Sequence, residues 1–240
     1  MRMNRLRVHY TVRSRKIPRK MTFAVAADLH TAHFDDVMPD FRAADAVLVP
    51  GDLVNRHRDG FQEAARFLKE VPKAAPVFYS LGNHEQLCAF REEWMKTVAE
   101  SSAVLLDDRS VPFKGIRIGG LSSRPYGDPC REFLDGFERE GEFKLLMCHH
   151  PEIWRDEVRG RDIDFTVCGH AHGGQIQICG RGLYAPGQGL FPKLTHGMHD
   201  GGKMVISRGM TDSTRVPRIN NPYELILLHL EPAEAGSQAE

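Results

Sequence analysis

Two histidines, His170 and His172, sit two residues apart inside Cys168-Gly169-His170-Ala171-His172-Gly173-Gly174. Imidazole nitrogens suit borderline divalent metals, and the flanking glycines let the backbone turn tightly beside them. The run before them, residues 165–168, is apolar and reads as a buried strand. Residues i and i+2 of an extended chain point the same way, so the spacing predicts that both imidazoles reach one point in space. Taken alone, a His-x-His pair is as often a plain surface loop.

Four other stretches repeat the pattern. The apolar run 22–27 ends on Asp28-Leu29-His30, and the run 46–50 ends on Gly51-Asp52. The run 77–81 ends on Gly82-Asn83-His84-Glu85, and the run 143–148 ends on His149-His150-Pro151. Open α/β sheets bind ligands outside the carboxyl ends of their strands. A single Asp or Asn there could cap a turn, and a single His could be a satisfied structural residue. Five such ends, all offering nitrogen or oxygen donors, point together to a metal centre. So large a donor set exceeds one tetrahedral ion and fits two ions sharing a bridging carboxylate. Mixed imidazole, carboxylate and amide donors without thiolate favour Mn, Fe, Co or Zn. Two carboxylates against two dications leave a positively charged centre, which suits phosphate ester oxygens.

The elements that must carry these ends follow from periodicity. Residues 8–12 alternate and read as an edge strand, interrupted by Ile17-Pro18. A helix capped by Asp59 or Gly60 presents Phe61, Ala64, Ala65, Phe67 and Leu68 as one stripe. A second helix is expected over 87–100, with Phe90, Trp94, Met95 and Val98 inward. Short strands at 103–106, 111–113 and 116–118 suggest an antiparallel stretch, and 204–207 and 223–230 read as late strands. There is no internal repeat or linker. The economical division is a basic lead-in over 1–21, one domain over 22–230, and a disordered tail over 231–240.

With 240 residues the chain can bury a sizeable core. Lys plus Arg and Asp plus Glu balance at 32 each, which gives no electrostatic case for general nucleic-acid binding. Basic charge does gather in the lead-in, at Arg2, Arg5, Arg7, Arg13, Arg15, Lys16, Arg19 and Lys20. That segment reads as a solvated terminus, and peripheral contact with anionic lipid is its alternative reading. No apolar h-region follows the charges and no apolar run is long enough to span a bilayer. The five cysteines show no pairing pattern and fit a reducing compartment. The expected location is the cytoplasm, with any membrane contact at its inner surface.

Asp28-x-His30, Gly51-Asp52, Gly82-Asn83-His84-Glu85, His149 and Gly169-His170-x-His172 together resemble the five motifs of the calcineurin-like metallophosphoesterase superfamily. The likeness runs from about residue 22 to residue 230. The stretches Gly169–Gln175, Pro186-Gly-Gln-Gly189 and Ser207-Arg208-Gly209 resemble most its small bacterial phosphodiesterase-type branch. The resemblance implies a four-layer αββα sandwich of two mixed sheets flanked by helices. It implies two divalent transition metal ions, one held by Asp28, His30, Asp52 and His172, the other by Asp52, Asn83, His149 and His170. His149 is preferred to His150 because the family pattern places its ligand two residues before the proline, here Pro151.

The implied reaction is phosphodiester or pyrophosphate hydrolysis of a small phosphorylated substrate, by in-line attack of a hydroxide held between the metals. His84 would lie beyond the metals, as a general acid or a phosphate contact. Asn55 departs from the Asp of the related protein-phosphatase motif; it can hold a ring N–H of His84 but supplies no charge to keep that ring protonated. Arg124, Tyr126, Gln175 and Arg208 are candidate substrate contacts, and Leu190-Phe191-Pro192 a candidate apolar lip. A phosphomonoesterase and a non-catalytic scaffold of the same fold are the alternatives.

Overall fold

A computed structural model describes residues 4–124, 128–213 and 216–234. The chain first lays down β1 (Leu6–Ser14), β2 (Met21–Val25), β3 (Ala46–Val49), β4 (Val77–Tyr79) and β5 (Val104–Leu105). Next come β6 (Arg109–Phe113), β7 (Ile116–Leu121), β8 (Phe143–Cys148) and β9 (Phe165–Cys168). Two small hairpins follow: β10 (Gln177–Ile178) with β11 (Arg181–Gly182), and β12 (Tyr184–Ala185) with β13 (Gly189–Leu190). The last strands are β14 (Gly197–His199), β15 (Met204–Ile206) and β16 (Glu224–Pro232). The helices are α1 (Met38–Ala43), α2 (Gln62–Glu70), α3 (Asn83–Leu87), α4 (Arg91–Glu100), α5 (Arg131–Phe137) and α6 (Pro151–Ile153).

The long strands form two six-stranded sheets, ordered β1-β16-β2-β3-β4-β5 and β14-β15-β9-β8-β7-β6. Among the described residues, the β16–β2 pair is antiparallel in the first sheet, and β14–β15 and β6–β7 are in the second; the remaining pairs are parallel. Both sheets are therefore mixed. Their inner strands are buried on both faces, which explains why 22–27, 143–148 and 165–168 read as continuous apolar runs rather than alternating ones. Phe23, Val25, Leu48, Leu145, Met147, Phe165 and Val167 pack between the sheets. On the far side of the first sheet, Ala24, Val47 and Val49 pack with Phe41, Phe67, Leu68 and Trp94 from α1, α2 and α4. On the far side of the second, Leu146, Cys148 and Cys168 pack with Leu134 and Phe137 of α5, and with Trp154 and Val158 of the π turn that follows α6. The result is the four-layer αββα sandwich.

Three local expectations are corrected. The stretch 103–118 is not one antiparallel unit: β5 joins β4 in parallel in the first sheet, whereas β6 and β7 pair in the second. The chain crosses between sheets at Leu106, buried in the inter-sheet core, and at Asp108, which turns with a φ of 48°. The helix expected from 87 begins at Arg91 because Cys88 is extended, and a separate short helix, α3, starts at Asn83 itself. Neither Asp59 nor Gly60 caps α2, whose N-cap is Phe61 and makes no side-chain cap bond.

The lead-in is stitched to the domain rather than freely solvated. β1 forms an edge of the first sheet, in register with the whole of β16. Arg5 is 1% exposed, pairs with Asp36 and donates to the carbonyls of His33 and Met210. Arg7 pairs with Asp40, Arg13 and Lys20 with Glu231, and Lys16 with Asp164. β16 runs to Pro232, inside the segment expected to be a disordered tail, and residues 235–240 lie outside those described. No described helix is long and apolar enough to cross a membrane.

Candidate metal centre

The five strand ends meet at one edge of the sandwich. β2, β3 and β4 deliver Asp28, His30, Asp52, Asn83 and His84 from the first sheet; β8 and β9 deliver His149, His150, His170 and His172 from the second. Backbone bonds close the strand ends within each sheet, and a carboxylate joins the two sheets. The Asp28 amide donates to the Gly51 carbonyl at 3.2 Å and the Gly169 amide to the His149 carbonyl at 3.0 Å. The His170 amide donates across to the Asp28 carboxylate at 3.1 Å.

The backbone at these ends is unusual. Asp28, His30, Asp52, His170 and His172 all have φ between 47° and 67°, a left-handed conformation that non-glycine residues adopt at a cost. Such strain persists where the surrounding structure imposes it, and it gathers at functional sites. The adjacent glycines leave room for the carboxylates: a Cβ on Gly82 would lie 2.2 Å from Asp52 Oδ1, and one on Gly169 2.6 Å from Asp28 Oδ2.

Four overlapping groups of donor atoms result, each mutually within 4.8 Å: Asp28, His30 and His172; Asp28, Asp52 and His149; His30, Asp52 and His84; and His149, His150 and His170. Asp52 is central. Its Oδ2 lies 3.1 Å from His149 Nε2, 3.8 Å from His84 Nε2 and 3.9 Å from His30 Nε2. Asp28 Oδ1 lies 3.5 Å from His172 Nε2 and 3.8 Å from His30 Nε2.

The expectation that His170 and His172 converge on one point is overturned. Between them Ala171 is helical and both histidines are left-handed, so the chain coils instead of extending. His172 turns to Asp28 and His30, while His170 turns to His149 and stacks on His150 with 4.0 Å between ring centroids.

These residues fit a divalent ion. Asn83 Oδ1 and His149 Nδ1 are buried without a hydrogen-bond partner, and the other ring nitrogen of His149 meets the Asp52 carboxylate. His30 Nε2 and His172 Nε2 face each other at 3.3 Å. His30 Nδ1 faces the Val54 carbonyl at 3.1 Å, which fixes the proton there and leaves Nε2 as the ligand atom. The electrostatics demand positive charge. Burial would lift the Asp52 carboxyl, but His149, His84 and His30 hold it well below the usual range. Burial opposes charge on His149, yet Asp52 and Asp28 outweigh it and raise the ring to about 9. A metal ion answers the same demand that draws that proton in.

His84 is held differently from expectation. Its Nδ1 accepts the backbone N–H of Arg56 at 3.1 Å, not a bond from Asn55, whose Oδ1 takes the His57 amide. The neutral ring therefore carries its proton on Nε2, facing Asp52. Burial pushes its pKa down to about 4 against the pull of Asp52.

Glu85 closes its motif in the sequence without an evident role there. In the fold it is fully buried and accepts the backbone N–H groups of Asp52, Leu53, Val54 and Gly82 at 2.6–3.1 Å. It locks the β3 and β4 loops together. Its signal in the sequence is an acid placed beside an apolar strand end, where only a set of backbone donors could satisfy it. Burial, aided by Asp52, raises its pKa to about 7.

The expected substrate contacts are engaged within the protein. Arg124 pairs with Asp108, Arg208 with Glu224, and the Gln175 amide donates to the Val216 carbonyl. Tyr126 lies outside the described residues. Arg218, not anticipated, pairs with Asp212 at 2.6 Å and lies 3.1 Å from His172 Nδ1.

The sequence pattern of the calcineurin-like phosphoesterase family matches residues 21–174. The chain is 26% identical to the uncharacterized protein YpbG of Bacillus subtilis over 204 residues, covering 77% of this chain and 74% of that one. It is 24% identical to an uncharacterized metallophosphoesterase of Campylobacter jejuni over 216 residues, covering 85% of this chain and 56% of that one. A Helicobacter pylori metallophosphoesterase, also uncharacterized, is 23% identical over 176 residues, 67% of this chain and 47% of that one. The chain thus spans about half the length of the last two relatives.

Proposed function

The chain belongs to the calcineurin-like phosphoesterase family, metal-dependent hydrolases of phosphoesters, and from that premise we propose that it cleaves a phosphodiester or pyrophosphate bond. The observation that carries the reading is the position of Asp52, whose carboxylate lies within 4 Å of His30, His84 and His149. Asp28, His30, Asp52 and His172 would hold one divalent transition metal ion; Asp52, Asn83, His149 and His170 would hold a second. When bound, such a pair supplies Lewis acidity at the phosphoryl group and a water activated at neutral pH.

The chain's own residues do the rest. Asp28 and Asp52, fixed by the amides of His170 and His84, keep the donor set from splaying. The Nε2–H of His84 points into the cluster as a hydrogen-bond donor for a phosphate oxygen. A diester is preferred to a monoester because a monoester dianion brings an additional negative charge. Arg124, Arg208 and Arg218 do not meet that charge, since each is already paired with an acid.

The test is a panel of nitrophenyl phosphomonoesters and diesters, run on protein stripped by chelator and reloaded singly with Mn, Fe, Co or Zn. Hydrolysis that vanishes on stripping, returns on reloading and favours diesters is expected. Full turnover by stripped protein would defeat the metal assignment, and a preference for monoesters would transfer the reading to a phosphomonoesterase.

A further inference from the structure

A cavity of 260 Å³ opens directly beside the metal centre, between the turn that carries His172 and the two hairpins after it. Its walls are Ile176, Leu183, Tyr184, Pro186, Leu190 and Val216, and it meets the cluster along Ala171 and His172. Its remaining polar wall residue, Gln175, has its amide nitrogen bonded to the Val216 carbonyl. Apart from the edge of His172, the Tyr184 hydroxyl and the Gln175 Oε1, the lining side chains are apolar. The surface around the mouth is also apolar. Leu190, 68% exposed, and Val216 carry the apolar lining out to the surface, and Ile219, bridged to Ile176, is exposed beside them. The hairpins and the 216–219 segment gather these side chains, through the Tyr184–Leu190 pairing and the bridge between Ile176 and Ile219.

A nucleobase or sugar entering this cavity would lose most of its water partners and find few in return. An alkyl chain loses nothing and gains from burial. The volume is near the lower end of small-ligand pockets. At roughly one water volume, ~30 Å³, for each methylene it holds about eight carbons.

We infer that, granted the phosphoesterase reading above, the substrate is an amphipathic phosphoester whose apolar chain lies in this cavity while its phosphate faces the donor cluster at His172. Ile176, Leu183 and Leu190 then select for chain length, and the exposed side chains of Leu190 and Val216 cover the part of the chain that emerges.

The test uses the Mn-loaded full chain and two series of ligands with one, four and eight carbons, the longer ones run both below and above their aggregation concentrations. Alkylphosphonates, which cannot be hydrolysed, are titrated by calorimetry; alkyl nitrophenyl phosphodiesters report turnover. Affinity and kcat/KM should each rise about fourfold per methylene until the cavity is full. Leu190→Asp, at an exposed position where folding is not at stake, should flatten the rise in both series. Binding independent of chain length overturns the inference, and so does a rise seen only above the aggregation concentration, which would assign the rim to a lipid surface instead. The two readings fail separately. A methyl diester that is hydrolysed as well as the octyl one leaves the enzyme and removes the cavity's role. Phosphonate binding that grows with chain length, without hydrolysis of any ester, leaves the cavity and removes the enzyme.

Discussion

The β3–β4 side and the β8–β9 side of the metal centre hold their donors by different means. Asp52 hangs from the loop after β3, and Asn83 and His84 open α3; Glu85 ties that loop to the Gly82 cap of α3 through backbone N–H groups of both, wholly out of water. His149, His150 and His170 lie ring against ring, and the acid beside them, Glu152, is only partly buried and meets His150 Nδ1 at 3.1 Å. One side is fixed by a set of backbone hydrogen bonds to a single buried carboxylate. The other is held mainly by ring packing, with the His170 amide bonded to the Asp28 carboxylate. This predicts a large asymmetry in what each buried or half-buried acid contributes.

The largest effect tests it directly. Glu85→Ala strands several buried backbone donors, each costing about 1–3 kcal/mol when unsatisfied. The loss should reach at least about 4 kcal/mol in urea unfolding, or prevent folding altogether. Glu152→Ala removes an acid that, among the described residues, accepts no backbone N–H bond and should cost clearly less than Glu85→Ala in the same unfolding experiment. Comparable losses at the two positions would erase the distinction between the sides.

The next effect is on metal content. Asp52→Asn removes the charge that His30, His84 and His149 share, whereas Asn83→Ala removes one neutral donor. Metal analysis after purification should find Asp52→Asn nearly empty and Asn83→Ala partly loaded. Two ions still bound in Asp52→Asn would refute the bridging role.

Much of this site is legible in the sequence because each donor ends an apolar run. A strand buried on both faces has little use for a polar terminus unless a turn or a ligand engages it, so Asp28, Asp52, Asn83 and His149 can be read in order. The geometry within the site is not legible. The parting of His170 and His172 depends on left-handed backbone at both, which is imposed by the Asp28 carboxylate and the neighbouring glycines rather than by residue preference. Asn55 looks like the partner of His84 because a related motif places an acid there; a backbone amide does the work, and backbone amides leave no mark in a sequence. The short helices α1 and α5 and the two-residue strands of the hairpins carry too few residues to establish a period. The acids that fix the lead-in, Asp36 and Asp40, lie about thirty residues from Arg5 and Arg7, beyond any local pattern.

A smaller effect separates the two roles open to His84. With Nδ1 engaged by the Arg56 amide, the neutral ring can donate from Nε2 but has no second proton to give away. His84→Ala should lower turnover by about a hundredfold, the scale for one lost donor to developing negative charge. The loss should be the same for a nitrophenyl diester and an alkyl diester, with metal content unchanged. A loss confined to the alkyl ester, whose alkoxide leaves poorly without a proton, would restore the general-acid role.

The smallest effect lies between two adjacent rings. His149 and His150 each have one buried ring nitrogen without a hydrogen-bond partner, Nδ1 and Nε2 respectively, so ring chemistry alone does not tell them apart. Their neighbours do. His149 lies 3.1 Å from Asp52 and 3.9 Å from Asp28, inside the carboxylate pair. The acid beside His150 is Glu152, and its ring supports His170 by stacking. His149→Ala should therefore abolish binding at one position of the centre. His150→Ala should keep both ions and weaken the second by no more than about tenfold, the lower end of what a supporting residue behind a ligand contributes. Titration of stripped protein with a single metal, read by calorimetry, distinguishes the two. Equal loss of a whole binding step in both variants would make His150 a ligand in its own right, and would mean that the packed side of the centre can offer either ring to the metal.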